Sequence, residues 1–214
     1  MHTAPQQPAR TVQEREADFT KLAGDRDDWR CGPVRLWLRA YARGERGEKT
    51  AVHVLSSALD TDALAWTRDA RGRPQLHGEH ARFDANWSHS GDWLLVALGE
   101  DVEVGVDLEF LRPRPRAMEL AQRFFHPDET AWLLGLPEAT QESTFVRVWC
   151  AKEAVLKAHG HGIAFGLEKL ALAERDGRLE LAACDPALGV PADWHLREWE
   201  PRRGYRAVLA WRRR

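Results

Sequence analysis

The chain has 214 residues, 43% hydrophobic and 30% charged, with a formal net charge of -2. That balance excludes a disordered chain, and it gives no overall pull toward nucleic acid, so any anion site must be built locally. Cys31, Cys150 and Cys184 show no paired metal spacing, and no apolar run approaches the roughly 20 residues of a membrane span. Met1 to Arg10 lacks the apolar core of a signal peptide. A cytoplasmic protein with no membrane or nucleic-acid partner is expected, working as a monomer. The ten tryptophans, spread from Trp29 to Trp211, read as packing residues.

Residues 1–32 are polar and read as a flexible arm with a short helix over Thr11–Leu22. Val34, Leu36 and Leu38 alternate with Arg35 and Arg39, which predicts a strand with one buried face. A charged turn over Gly44–Gly47 leads into a helix predicted over Thr50–Trp66 from Val52, Leu55, Leu59 and Ala63. Arg71-Gly72-Arg73-Pro74 is a loop. Trp93–Leu98 and Val102–Leu108 are β-rich runs around Gly99-Glu100-Asp101 and read as a hairpin. Pro113 and Pro115 stand among three arginines and mark a linker over 112–116 between an N-terminal half (33–111) and a C-terminal half (117–214).

Helices are expected over Ala117–Phe125, from His126-Pro127 onward, and over Glu142–His159 with its apolar stripe of Phe145, Val148, Trp149, Val155 and Leu156. Two hairpins close the chain, Leu167–Ala173 with Arg178–Ala183 and Trp194–Glu198 with Tyr205–Trp211. The fold class is therefore α+β, in two halves packed together.

Four groups of residues could carry chemistry. On a strand, Asp107 and Glu109 face one way, and two carboxylates at that spacing repel unless a cation lies between them. Oxygen ligands of this kind suit Mg2+, although a solvated strand end would look the same. On the helix, Glu153 and Lys157 are i and i+4 neighbours beside Lys152; this reads as a third carboxylate with two phosphate cations, or as a surface ion pair. Asn86-Trp87-Ser88-His89-Ser90-Gly91 is a polar turn able to donate to phosphate, and it lacks the nucleophile elbow of a serine hydrolase. Arg71 and Arg73 lie in a glycine-containing loop suited to an exposed phosphate or to a solvated turn. His159 and Gly160 read as a helix C-cap rather than a metal site.

The order of these segments is more specific than any one of them. Arg-Gly-Arg-Pro at 71–74, Asn-Trp-Ser-His-Ser at 86–90, Gly-Val-Asp-Leu-Glu at 105–109, Arg-Phe-Phe-His-Pro-Asp-Glu at 123–129 and Trp-Cys-Ala-Lys-Glu-Ala-Val-Leu-Lys at 149–157 resemble the 4'-phosphopantetheinyl transferases of the Sfp type. The resemblance runs from Arg71 to Phe165. It implies two similar halves in a pseudo-two-fold arrangement with the site between them, coenzyme A as donor, and an apo acyl or peptidyl carrier protein as acceptor. By the same resemblance, Asp107, Glu109 and Glu153 match Mg2+ ligands, and Lys152 and Lys157 match basic residues near the coenzyme A phosphates. Ser88 and His89 match the residues at the 3'-phosphate end, and Arg73 stands where a basic residue serves the nucleotide. Glu153 is the first choice for the base. Trp87 departs from the small aliphatic residue usual at its position. The N-terminal half is short, with only Arg43, Arg46 and Lys49 to replace the family's usual basic helix. The alternatives are a non-catalytic coenzyme A-binding module on the same fold and a metal-dependent phosphohydrolase.

Overall fold

In the computed structural model of the chain, residues 19–22, 27–42, 44 and 46–214 are described. The end of the polar N-terminal stretch supplies two short antiparallel strands, β1 (Thr20–Lys21) and β2 (Asp28–Cys31). Of the helix expected over Thr11–Leu22, residues 11–18 lie outside the described residues, as does Arg43, and Thr20–Lys21 is strand instead.

Strand β3 (Val34–Ala40) follows its alternation, with Val34, Leu36 and Leu38 facing one core and Trp37 another. Helix α1 spans Gly47–Ala58 and stops well short of Trp66, because Leu59 caps it and Asp60 takes a left-handed φ of 52°. Trp66 instead opens β4 (Trp66–Arg68), which pairs with β5 (Pro74–Leu76) across a turn holding Gly72 at φ 86°. Next come β6 (Phe83–Ser90), β7 (Trp93–Glu100) and β8 (Val102–Phe110). Helices α2 (Ala117–Phe124), α3 (Pro127–Leu134) and α4 (Glu138–His159) follow, the last beginning earlier than expected and ending on Gly160 at φ 88°. The chain closes with the hairpins β9 (Leu170–Arg175) with β10 (Arg178–Cys184), and β11 (His195–Trp199) with β12 (Tyr205–Arg213).

The hairpin expected between β7 and β8 does not form. β7 pairs with β3 and β6 in a five-stranded antiparallel sheet ordered β1-β2-β3-β7-β6, and β8 joins a second sheet ordered β11-β12-β8. The reason is that β7 is covered on both faces: Leu95 and Ala97 enter the core shared with β8, while Leu94, Val96 and Leu98 pack under α1. With both edges also taken, β7 has no edge to offer.

The α+β chain is thus two antiparallel sheets facing each other, each covered by a helix. Between the sheets lie Leu36, Leu38 and Leu95 from one side and Val104, Val106, Leu108 and Leu209 from the other. A third cluster surrounds α4, with Phe145, Val148, Val155 and Leu156 against Val208 and Ala210. β8 therefore turns Val104, Val106 and Leu108 to the inter-sheet core and presents Gly105, Asp107 and Glu109 on its other face. A Cβ on Gly105 would collide with the Ala154 carbonyl and the Ala158 amide, so α4 rests directly on the β8 backbone. Among the described residues no helix is long and apolar enough to cross a membrane.

Candidate functional site

β6 and β8 run alongside one another without a strand ladder, and every second side chain of β6 reaches across. Asp84 Oδ2 accepts from the Val104 amide at 2.7 Å, Asn86 Oδ1 from Val106 at 3.0 Å, and Ser90 Oγ from Phe110 at 2.9 Å. These side chains satisfy backbone donors that an edge strand would otherwise leave open. The same period of two brings Ser88 onto Asp107, to which its Oγ donates at 2.9 Å.

Helix α4 rests on β8 and brings Lys157 to the same carboxylate oxygen. Lys157 Nζ donates to Asp107 Oδ1 at 2.6 Å and to Ser88 Oγ at 2.9 Å. Asp107 is buried, and its second oxygen, Oδ2, has no hydrogen-bond partner. Burial pushes the Glu153 carboxyl up to about 7, with the Asp107 charge adding to the effect and Lys157 opposing it. Glu109 is also raised, by burial and then by Asp107, against the pull of Arg114, whose Nη2 lies 2.6 Å from Glu109 Oε2. Burial alone would lower Lys157, but the charge and hydrogen bond of Asp107, with the charge of Glu153 added, together hold the ammonium above its ordinary value.

Asp107, Glu109, Glu153 and Lys157 line one cleft of about 440 Å³ together with Ser88, His89 and Trp149. A second cleft of about 180 Å³ is lined by Arg68, Arg71 and Arg73, and Trp87 and Lys157 belong to both. His89 is exposed and its ring stacks on Tyr41, with centroids 4.5 Å apart. Arg46 and Lys49, at the start of α1, line neither cleft.

The structure does not bring Lys152 to the cleft. Its side chain is fully buried, its Nζ lies 2.6 Å from Glu129, and it donates to the carbonyls of Leu167 (2.7 Å) and Leu170. Three acceptors match the three protons of an ammonium, so none is left for a phosphate. Residues adjacent in a helix point about 100° apart, and Lys152 turns into the core while Glu153 turns to the cleft. Arg73 does line the arginine cleft, but its guanidinium is tied into the fold. It pairs with Asp84 and donates to the carbonyls of Lys157 and Val104, the latter at 3.1 Å.

Two partners escaped the sequence reading. Glu129 is the N3 residue of a capping box with His126, a position visible in the sequence, but nothing there marks Lys152 as its mate. The sequence reads Arg114 as part of a linker, and the structure pairs it with Glu109.

Three carboxylates on facing elements, two of them raised by burial and then by the Asp107 charge, and one with an orphaned buried oxygen, make a donor set that fits a hard divalent cation. In the arrangement seen, Lys157 neutralises Asp107, and among the described residues no three carboxylate, imidazole or thiol groups meet at one point.

The family model described as the 4'-phosphopantetheinyl transferase superfamily matches residues 103–210, just over half of the chain. The 4'-phosphopantetheinyl transferase psf-1 of Bacillus pumilus is 35% identical over 142 residues, which cover 65% of this chain and 59% of that protein. HetI of Nostoc sp., also a 4'-phosphopantetheinyl transferase, is 38% identical over 136 residues, covering 62% and 54%. The 4'-phosphopantetheinyl transferase Sfp of Bacillus subtilis is 29% identical over 129 residues, covering 59% and 55%. The chain spans between half and three-fifths of the length of these curated relatives. The crystal structure of Thermotoga maritima holo-acyl-carrier-protein synthase (AcpS) aligns at 19% identity and a TM-score of 0.43, over 52% of this chain and 63% of that one.

Proposed function

The chain belongs to the 4'-phosphopantetheinyl transferase superfamily, and from that premise we propose that it transfers the 4'-phosphopantetheine arm of coenzyme A to a serine of an apo acyl or peptidyl carrier protein. The product released is 3',5'-adenosine bisphosphate. The observation that carries the reading is the Asp107–Ser88–Lys157 cluster at the junction of two clefts, one arginine-lined and one acidic. A donor with its nucleotide in the arginine-lined cleft passes Lys157 and Trp87, the two residues common to both clefts, on its way to the carboxylates.

In this reading Asp107, Glu109 and Glu153 would hold Mg2+, which supplies positive charge to the pyrophosphate. Lys157, kept protonated by Asp107, offsets charge on the leaving phosphate, and Ser88 fixes where its ammonium points. The carrier serine Oγ forms the new bond to the β-phosphorus as the bridging P–O bond breaks. Glu153 is the candidate base for the serine proton; its carboxyl is pushed up to about 7 in the metal-free protein, and a bound cation would lower it. His89 is exposed and lines the acidic cleft, not the arginine-lined one, so it borders the path of the donor rather than the nucleotide.

The test is a mass spectrum of apo carrier proteins after incubation with coenzyme A and Mg2+. The expected result is a gain of one phosphopantetheinyl group on the carrier serine. Binding of coenzyme A with no carrier modified would overturn the reading.

A further inference from the structure

The segment joining β8 to α2 carries Arg112, Arg114 and Arg116 around Pro113 and Pro115. The three arginines do not behave alike. Arg112 is exposed, and Arg116 pairs with Glu119 at the start of α2 at 2.9 Å. Arg114 turns back to Glu109, Nη2 to Oε2 at 2.6 Å, with the two side chains only 20% and 18% exposed. We infer that Arg114 is a positioning residue: it holds one oxygen of Glu109 so that the carboxylate meets a divalent cation in a fixed orientation. This rests on the metal role proposed above for Asp107, Glu109 and Glu153.

The local chain is built to aim this side chain. Each proline fixes its own φ and restrains the residue before it to extended backbone, so Arg112 and Arg114 are both held out of helix. The Leu111 amide donates to the Gly204 carbonyl at 2.8 Å, and the Ala117 amide to the Arg114 carbonyl at 2.9 Å. The segment is pinned at both ends with Arg114 inside it. Arg114 Nε is buried without a partner, so Glu109 is the acceptor that holds this guanidinium in place. The other oxygen of Glu109 makes no hydrogen bond among the described residues, and the residue lines the acidic cleft.

Charge and geometry predict opposite outcomes here. If Arg114 were only a nearby positive charge, removing it would tighten cation binding. If it orients Glu109, removing it weakens binding, as loss of a ligand's hydrogen-bonding partner generally does.

The experiment titrates Mn2+ into the protein with coenzyme A present and no carrier, following free Mn2+ by its electron paramagnetic resonance signal. Arg114→Gln is expected to weaken Mn2+ binding about tenfold or more. Arg114→Lys keeps the charge but not the planar fork, and is expected to fall between wild type and Arg114→Gln. Arg112→Gln should bind as wild type does. Mn2+ affinity in Arg114→Gln equal to or tighter than wild type overturns the inference alone. So does Arg114→Lys binding as tightly as wild type, a result available even if the Gln variant fails to fold. A wild-type protein that binds no Mn2+ overturns the metal assignment and this inference with it.

Discussion

Lys152 and Lys157 stand five residues apart on α4, and each has a carboxylate partner at 2.6 Å. Five helical residues turn the side chains about 140° apart, so the two ion pairs face different surroundings. At Lys152 everything is matched: the ammonium meets Glu129 and two carbonyls, and Glu129 also accepts from the amides of Leu172 (2.6 Å) and His126 (3.2 Å). At Lys157 the match is incomplete, because Asp107 keeps a buried oxygen without a partner and both residues border a cleft. A closed set of donors and acceptors belongs to the fold; an open one is available to a ligand.

The sharpest test of that contrast is Asp107→Ala, which should lower transfer by about a thousandfold, or about 4 kcal/mol of barrier, while the thermal midpoint stays near wild type. Lys157→Ala should act in the same direction with a smaller loss. Near wild-type turnover in Asp107→Ala at limiting Mg2+ would end the assignment of that carboxylate. Lys152→Ala should instead strand a buried Glu129 charge and cost about 3–5 kcal/mol of stability, read as a large drop in thermal midpoint. Adding Glu129→Leu to Lys152→Met should restore part of the loss, though not all, since the Leu172 amide loses its acceptor.

Arg73→Ala sharpens the comparison from the other cleft. Its guanidinium is the counter-ion of buried Asp84, so the variant should lose about 2–3 kcal/mol of stability, although by resemblance Arg73 stands where a basic residue serves the nucleotide. An unchanged denaturation midpoint would show that Arg73 serves the ligand more than the fold.

The smallest effect concerns pH. Glu153 is raised from an ordinary carboxyl to about 7, so the folded state holds this proton more tightly than the unfolded chain does. The stabilisation is complete below the ordinary carboxyl range and is lost as pH climbs through about 7. Glu153→Gln should flatten that decline in metal-free protein and leave it about 1–3 kcal/mol more stable than wild type at pH 8. Parallel melting curves for the two proteins from pH 5 to 8 would remove the basis for Glu153 as the base.

What the sequence made legible were the local features. Alternation places Asp107 and Glu109 on one strand face, and helical spacing places Glu153 beside Lys157. What it hid were pairings decided at a distance. β7 and β8 look like a hairpin because they adjoin, but nothing local reveals that Asp84, Asn86 and Ser90 supply acceptors to the β8 amides. Nor does spacing reveal that Arg114 reaches Glu109, or that Lys152 and Lys157, alike in the sequence, face core and cleft. The period of Leu59 and Ala63 carries the expected helix on to Trp66, but the chain leaves the helix after Ala58, where Asp60 takes a left-handed φ.

One dimension of the site is set where no side chain is present. Asp107 and Glu109 ride on β8, Glu153 and Lys157 ride on α4, and the two elements touch backbone to backbone at Gly105. A methyl group there would act as a shim, lifting the helix and carrying both of its charges away from the strand together. Displacements of about 1 Å can cost a hundredfold in rate, so Gly105→Ala would detune the cleft without altering any group that lines it. The gap between acid and base is held to the tolerance of packed peptide planes, far tighter than long charged side chains could keep by themselves.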